Sequence, residues 1–210
     1  MIVVVGGQKG GTGKSTITVN LSVWLKKQML DPIIVDSDVN QATSSNWTHR
    51  RNENNELTPI PCVLQSGNLI ELLRNLDNKY SHVIVDAGGF DSKELRSSML
   101  VARKLITPIR PSQADLDSML YMDNLTSETM GMNPSLQSHV VITQAPTHPG
   151  VTLIQEAKDL LVCLKHLLLC KTVIYNRKPY IDCISIGCGV IEMGSSTAAN
   201  EINSIATELT

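Results

Sequence analysis

Aromatic side chains are scarce: the 210 residues hold one Phe, two Trp and four Tyr. That counts against proteins that stack the bases of single-stranded nucleic acid on aromatic platforms. An excess of either charge is missing too, with 18 Lys and Arg against 20 Asp and Glu. Such balance excludes a wholesale basic wrapper of nucleic acid and leaves room only for a local basic patch. No apolar run approaches the roughly 20 residues that cross a bilayer. The opening Met1-Ile2-Val3-Val4-Val5 is too short for a secretory signal, lacks a basic lead-in and runs straight into a glycine-rich stretch. Cys62, Cys163, Cys170, Cys183 and Cys188 include no Cys-x-x-Cys pair. They read as inert thiols of a reducing cytoplasm rather than as a disulfide or metal framework.

What is present is an ordinary globular composition, 42% apolar and 18% charged, enough for one domain over residues 1–210 with a full core. Ile2 to Val5 reads as a buried strand, and Gly6 to Gly13 as a loop. Ser15 to Leu30 carries a helical stripe at Ile17, Leu21, Trp24, Leu25 and Met29, stopped by Asp31-Pro32. Ile33-Ile34-Val35 is a second strand ending in Asp36, and His82-Val83-Ile84-Val85 a third ending in Asp86. Between them lie a fraying helix over 46–57, a short strand over 60–64 and a helix over 69–76. Beyond them the pattern gives strands over 105–109 and 140–143, a helix over 154–169, a strand over 172–175 and a final helix over 196–209. Alternating strands and helices predict an α/β fold: a mostly parallel twisted sheet with helices on both faces. Ligands of such folds sit at the carboxyl ends of strands, where the glycine loop and both acids fall.

Lys9-Gly10-Gly11-Thr12-Gly13-Lys14-Ser15-Thr16 follows a strand and opens a helix, the context in which a glycine loop cradles phosphate. Backbone N–H groups of Gly10, Gly11, Thr12, Gly13, Lys14, Ser15 and Thr16 can converge on phosphate oxygens, helped by the helix N-terminus. Lys14 would reach the β- and γ-phosphates, and the Ser15 hydroxyl would ligate Mg²⁺. The usual first glycine is replaced by Gln8, and an extra lysine, Lys9, begins the loop.

That segment resembles the deviant Walker A motif of the ParA/MinD superfamily of P-loop ATPases, and implies P-loop NTPase architecture, ATP and Mg²⁺. The resemblance implies a homodimer around ATP, with Lys9 of one subunit on the phosphates of the other. Asp36-Ser37-Asp38-Val39-Asn40-Gln41 is similar to the family's Asp-x-Asp-Pro-Gln, with Val39-Asn40 where Pro is usual and Gln41 displaced by one. Asp36 is then assigned to Mg²⁺, through water, and Asp38 to orienting the attacking water; the plainer alternative is that both acids cap the next helix. Val83-Ile84-Val85-Asp86 reads as Walker B, delivering Asp86 to the metal, with Ala87-Gly88-Gly89 in place of the common x-Pro-Pro. Pro108 to Asp115 (Pro-Ile-Arg-Pro-Ser-Gln-Ala-Asp), and more thinly Arg177-Lys178-Pro179-Tyr180, Gly187, Val190 and Glu192, are similar to small plasmid-partition ATPases. Thr143-Gln144 and Tyr175-Asn176 are candidates for the adenine contacts.

The implied role is partition: an ATP dimer binds duplex DNA nonspecifically, associates with the nucleoid, and is released when a centromere-binding adaptor stimulates hydrolysis. Candidate DNA contacts are Lys93, Arg96, Arg103, Lys104 and Arg110, then Lys158, Lys165, Lys171, Arg177 and Lys178. A bland solvated face explains each charge equally well. A membrane positioner like MinD is the alternative, but the last stretch has Glu201 and Glu208 and no Lys or Arg, which disfavours anionic lipid. An iron–sulfur or metabolic relative needs cysteines beside the loop, where there are none. With Met1 opening the first strand, no N-terminal helix-turn-helix extension is expected. No arginine finger is identifiable, so unstimulated hydrolysis is expected to be slow.

Overall fold

The computed structural model describes residues 1–89, 91–148, 152–194 and 196–209. Its centre is a seven-stranded sheet of β1 (Ile2–Val5), β2 (Pro32–Asp36), β3 (Cys62–Leu64), β4 (His82–Asp86), β5 (Lys104–Ile109), β6 (Gln137–Ile142) and β7 (Leu168–Leu169), in the order β3-β2-β4-β1-β5-β6-β7. Every pairing is parallel. The helices are α1 (Lys14–Lys27), α2 (Thr43–Glu53), α3 (Ile70–Asp77), α4 (Lys93–Met99), α5 (Gln113–Leu116), α6 (Met119–Met132), α7 (Leu153–Leu161), α8 (Lys178–Ile186) and α9 (Ser196–Leu209).

Strand alternation sorts the core into two layers. Val3 and Val5 face α1 and α9, packing with Ile17, Leu21, Ile202 and Ile205, whereas Ile2 and Val4 face the layer holding Leu95, Met119, Leu125 and Leu161. With apolar contacts on both sides, the inner strands read as continuous Val and Ile runs. Register then does the positioning: Asp36 and Val5 both stand opposite Asp86. The loop after β1 and the two strand-end acids therefore share one edge of the sheet.

Several stretches differ from the sequence reading. α1 ends at Lys27, and Met29, expected on its apolar stripe, lies beyond it, exposed and at φ 61°. α2 begins at Thr43 and ends at Glu53, earlier at both ends than expected. The helix expected over 154–169 stops at Leu161, and Leu168–Leu169 is the edge strand. Asp123 on α6 causes the break: its carboxylate accepts the backbone N–H groups of Lys165 (3.4 Å) and His166 (2.8 Å), pulling the chain out of helical geometry. The strand expected over 172–175 is reduced to one bridge, Tyr175 to Ala145. Helices α4, α5, α6 and α8 were not anticipated.

Candidate functional site

The loop between β1 and α1 turns through Gly11 and Gly13, at φ 71° and 89°, left-handed values that favour glycine. Gly13 caps α1 with no side-chain acceptor, so the first N–H groups of the helix face a cleft of about 370 Å³. Gly10, Gly11, Gly13, Lys14, Ser15 and Thr16 line it on one side, Asp36, Asp38 and Asp86 on the other. On the far side the loop after β4 comes so near that a Cβ on Gly89 would sit 3.3 Å from the Gly10 nitrogen.

The two lysines of the loop differ. Lys14 is buried and its Nζ donates to the Lys9 carbonyl at 2.8 Å, while the Lys9 residue itself is exposed. Burial lowers the Lys14 ammonium from its usual pKa, against the pull of Asp86, Asp38 and Asp115. Asp86 is buried and receives the Ser44 hydroxyl at 2.6 Å. Burial pushes its carboxyl up to about 6, the Ser44 and Ser15 hydroxyls pull it back, and Asp36 adds to the rise. Asp36 is fully buried and also raised by burial. Its oxygens accept the N–H groups of Asp38 (3.1 Å) and Ser45 (2.9 Å), so it caps the start of α2 from outside the helix. The capping set out as the plainer alternative is thus what Asp36 does here. Asp38 accepts the Gln41 N–H at 3.2 Å and lies against Gly88.

This donor set fits Mg²⁺. Two buried, mutually repelling carboxylates stand beside a serine hydroxyl, and a hard cation relieves the burial penalty. Among the described residues no group of three or more His, Cys, Asp or Glu that could hold a metal ion is found.

Thr143 and Gln144 brace the loop: Thr143 Oγ1 donates to the Thr12 carbonyl and Gln144 Nε2 to that of Gly11, each at 2.7 Å. Tyr175 and Asn176 line a second cleft of about 310 Å³, which shares Gly13, Thr16, Gln144, Tyr180 and Ile181 with the first. Ser44 and Ile181 were missed from sequence, and Tyr180 was noted only within the Arg177–Tyr180 resemblance, with no place in the site. A serine opening a helix was the available signal for the first, while the others arrive through tertiary packing.

Several expected surface cations are committed internally. Lys104 is buried on β5 and its Nζ donates to the Leu209 carbonyl. Arg110 pairs with buried Asp115 at 3.0 Å, Arg96 with Asp91, and Arg177 with Glu201 at 2.7 Å. Lys93, Arg103, Lys165, Lys171 and Lys178 are exposed, and Lys158 is half-buried.

Residues 3–205 match the family described as the CobQ/CobB/MinD/ParA nucleotide binding domain. The chain is 28% identical over 114 residues to Protein ParA of Rhizobium radiobacter, a match covering 54% of this chain and 50% of that one. It therefore spans half the length of that relative. It is 24% identical over 210 residues to the maintenance of carboxysome distribution protein A of Halothiobacillus neapolitanus, covering 98% of this chain and 94% of the other. Its fold superposes with TM-score 0.76 on MinD of Pyrococcus horikoshii, solved with Mg-ADP, at 18% identity and covering 99% and 95% of the two chains. A phosphate cradle at the head of α1, two strand-end acids across from it and the match over 3–205 agree: the chain belongs to the CobQ/CobB/MinD/ParA family of nucleotide binding domains.

Proposed function

We propose that residues 1–210 work as one ATP hydrolase unit that dimerises on ATP, holds duplex DNA without sequence preference and positions a plasmid or chromosome. In this reading an adaptor bound to the centromere stimulates hydrolysis and releases the dimer. The observation that carries it is the division between the lysines: Lys14 is buried in its own cleft, whereas Lys9 is exposed one residue before the cleft begins. A cation in that position can serve the phosphates of a second copy.

Lys14 and the N–H groups of residues 10–16 bind the phosphates. Ser15, Asp36 and Asp86 would hold Mg²⁺, Asp36 through water, while the Asp36 carboxylate also fixes the Asp38 loop and the start of α2. The ion, when bound, neutralises charge on neighbouring phosphate oxygens. Asp38 orients the attacking water; such transfer needs positioning more than a strong base. Of the candidate cations, the exposed Lys93, Arg103, Lys165, Lys171 and Lys178 are the ones this reading assigns to DNA phosphates.

A second reading, positioning of another cargo, is favoured by the near-full-length likeness to a carboxysome distribution protein. A membrane role is disfavoured, because the apolar face of α9 (Ala198, Ile202, Ile205, Ala206, Leu209) is spent on the core. No described helix is long and apolar enough to cross a membrane. Co-sedimentation decides: the ATP-loaded protein should pellet with duplex DNA of any sequence, with affinity falling steeply as salt rises. Pelleting with anionic liposomes instead would overturn the DNA reading.

A further inference from the structure

The wall of the second cleft is the segment 171–180. On its inner side it meets the end of β6 through the Ile174 N–H on the Ile142 carbonyl (2.9 Å), the Ala145 N–H on the Ile174 carbonyl (3.1 Å) and the Asn176 N–H on the Ala145 carbonyl (2.8 Å). Two acids on α9, two helical turns apart, hold that segment from behind. Glu208 accepts the N–H groups of Lys171 (2.6 Å) and Thr172 (3.1 Å) and the Thr172 hydroxyl (2.9 Å). Glu201, 9% exposed, accepts the Tyr175 N–H (3.2 Å), the Tyr180 hydroxyl (2.9 Å) and Arg177 Nε (2.7 Å). With its charge matched by Arg177 and its oxygens facing three donors, this carboxylate ties Tyr175, Arg177 and Tyr180 to α9, the Tyr180 hydroxyl also lying 3.1 Å from the Ala198 carbonyl. Arg177 is thereby laid over the Tyr175 ring, 5.2 Å from ring centre to guanidinium carbon. The cleft beside it offers Ile17, Ile174 and Ile181 as apolar surface and the Asn176 amide as donor and acceptor, and it opens into the phosphate cleft through Gly13 and Thr16. That combination suits a flat heterocycle attached to a polyphosphate.

We propose that Glu201 is a positioning residue for the nucleoside end of the site. Through Tyr175, Arg177 and Tyr180 it sets the wall against which the base rests, and so determines how much tighter a nucleotide binds than a bare polyphosphate. The proposal rests on the phosphate-site reading above, and the test separates the two.

The full chain is titrated calorimetrically with ATP and with inorganic tripolyphosphate, both with magnesium. In Glu201→Gln the side chain keeps its size but turns an amide toward donors, and thermal unfolding reports whether the fold holds. ATP affinity should fall by about tenfold, the worth of a charge-assisted hydrogen bond, while tripolyphosphate affinity stays within about twofold. In turnover the same variant should raise KM for ATP and leave kcat nearly unchanged. Tyr180→Phe, which deletes one donor and no volume, should lose ATP affinity in the same direction by about threefold. Equal losses for both ligands, or ATP affinity unchanged in Glu201→Gln, would overturn the proposal. If the unsubstituted protein binds ATP but no tripolyphosphate, the phosphate reading fails and takes this proposal with it.

Discussion

At Asp86 and Lys14 the chain keeps charges that burial makes costly. An acid raised to about 6 and a lowered lysine in one cleft store electrostatic work that a phosphate and a cation can release. The two side chains nearest the proposed chemistry should therefore separate binding from turnover. Lys14→Ala removes the buried cation that faces the three acids, and nucleotide affinity should drop below detection. Asp38 is only half-buried and its side chain accepts from its own loop, so Asp38→Ala should leave affinity within about threefold and cut turnover by roughly 10²-fold or more, the cost of losing the orientation of a reacting group. Nucleotide titration and phosphate release on the two variants check this. Lost binding in Asp38→Ala would move that carboxylate into the metal or phosphate shell.

At the scale of elements, α2 is what joins the acids to the carboxyl-terminal third. Its first turn puts Ser44 on Asp86 and Ser45 on Asp36. Its last turns are locked by Arg51, 1% exposed, which donates to both Glu192 oxygens (2.9 and 2.8 Å), the Gly187 carbonyl (3.1 Å) and the Thr58 carbonyl (2.8 Å). Burial pushes the Glu192 carboxyl up, but the Arg51 guanidinium and the Gly189 N–H outweigh it and hold the group below its usual 4.5. The native state thus binds fewer protons than the unfolded chain. The stability this pair contributes is complete above pH 4.5 and is lost as pH falls through the depressed value. Glu192→Gln should cost about 3 kcal/mol at pH 7 by leaving the guanidinium underpaired, with the gap to the parent narrowing below pH 4.5 by at most about 1.4 kcal/mol at pH 3.5. Urea unfolding at both pH values tests it, and a gap independent of pH would show that ionisation of Glu192 contributes nothing. The same distinction between local and long-range contacts explains what was readable in advance. The glycine loop, Asp36 and Asp86 were legible because each is a short pattern at the end of an apolar strand, and parallel register aligns them automatically. Arg51, Ser44 and Glu201 were not, because their partners lie far along the chain. The end of α7 was hidden for a related reason: the apolar stripe runs on past Leu161 without Gly or Pro, and only Asp123, from another helix, breaks it. Glu201 and Glu208 looked like an acidic tail facing solvent, yet both turn inward onto backbone N–H groups.

The whole molecule presents the cleft at one edge of the sheet, with Gly10, Gly11 and Asp38's neighbours Val39 and Asn40 exposed around it. In the proposed reading one copy supplies the cradle, the acids and the nucleoside wall, and leaves Lys9 outside. If a second copy closes over the nucleotide, deleting that ammonium should uncouple two events that are joined in the parent. With a non-hydrolysable ATP analogue and magnesium, the parent should shift in light scattering from 23.0 kDa to twice that mass. Lys9→Ala should remain at 23.0 kDa yet still be stabilised by nucleotide. At a hundredfold excess over Kd, binding to the native state alone is worth about 2.7 kcal/mol, which for a domain of this size raises Tm by roughly 5–10 °C. A variant that gains this shift without dimerising places Lys9 between the subunits. One that dimerises as the parent does returns it to the ordinary surface, and one that loses the thermal shift makes it part of its own subunit's phosphate site.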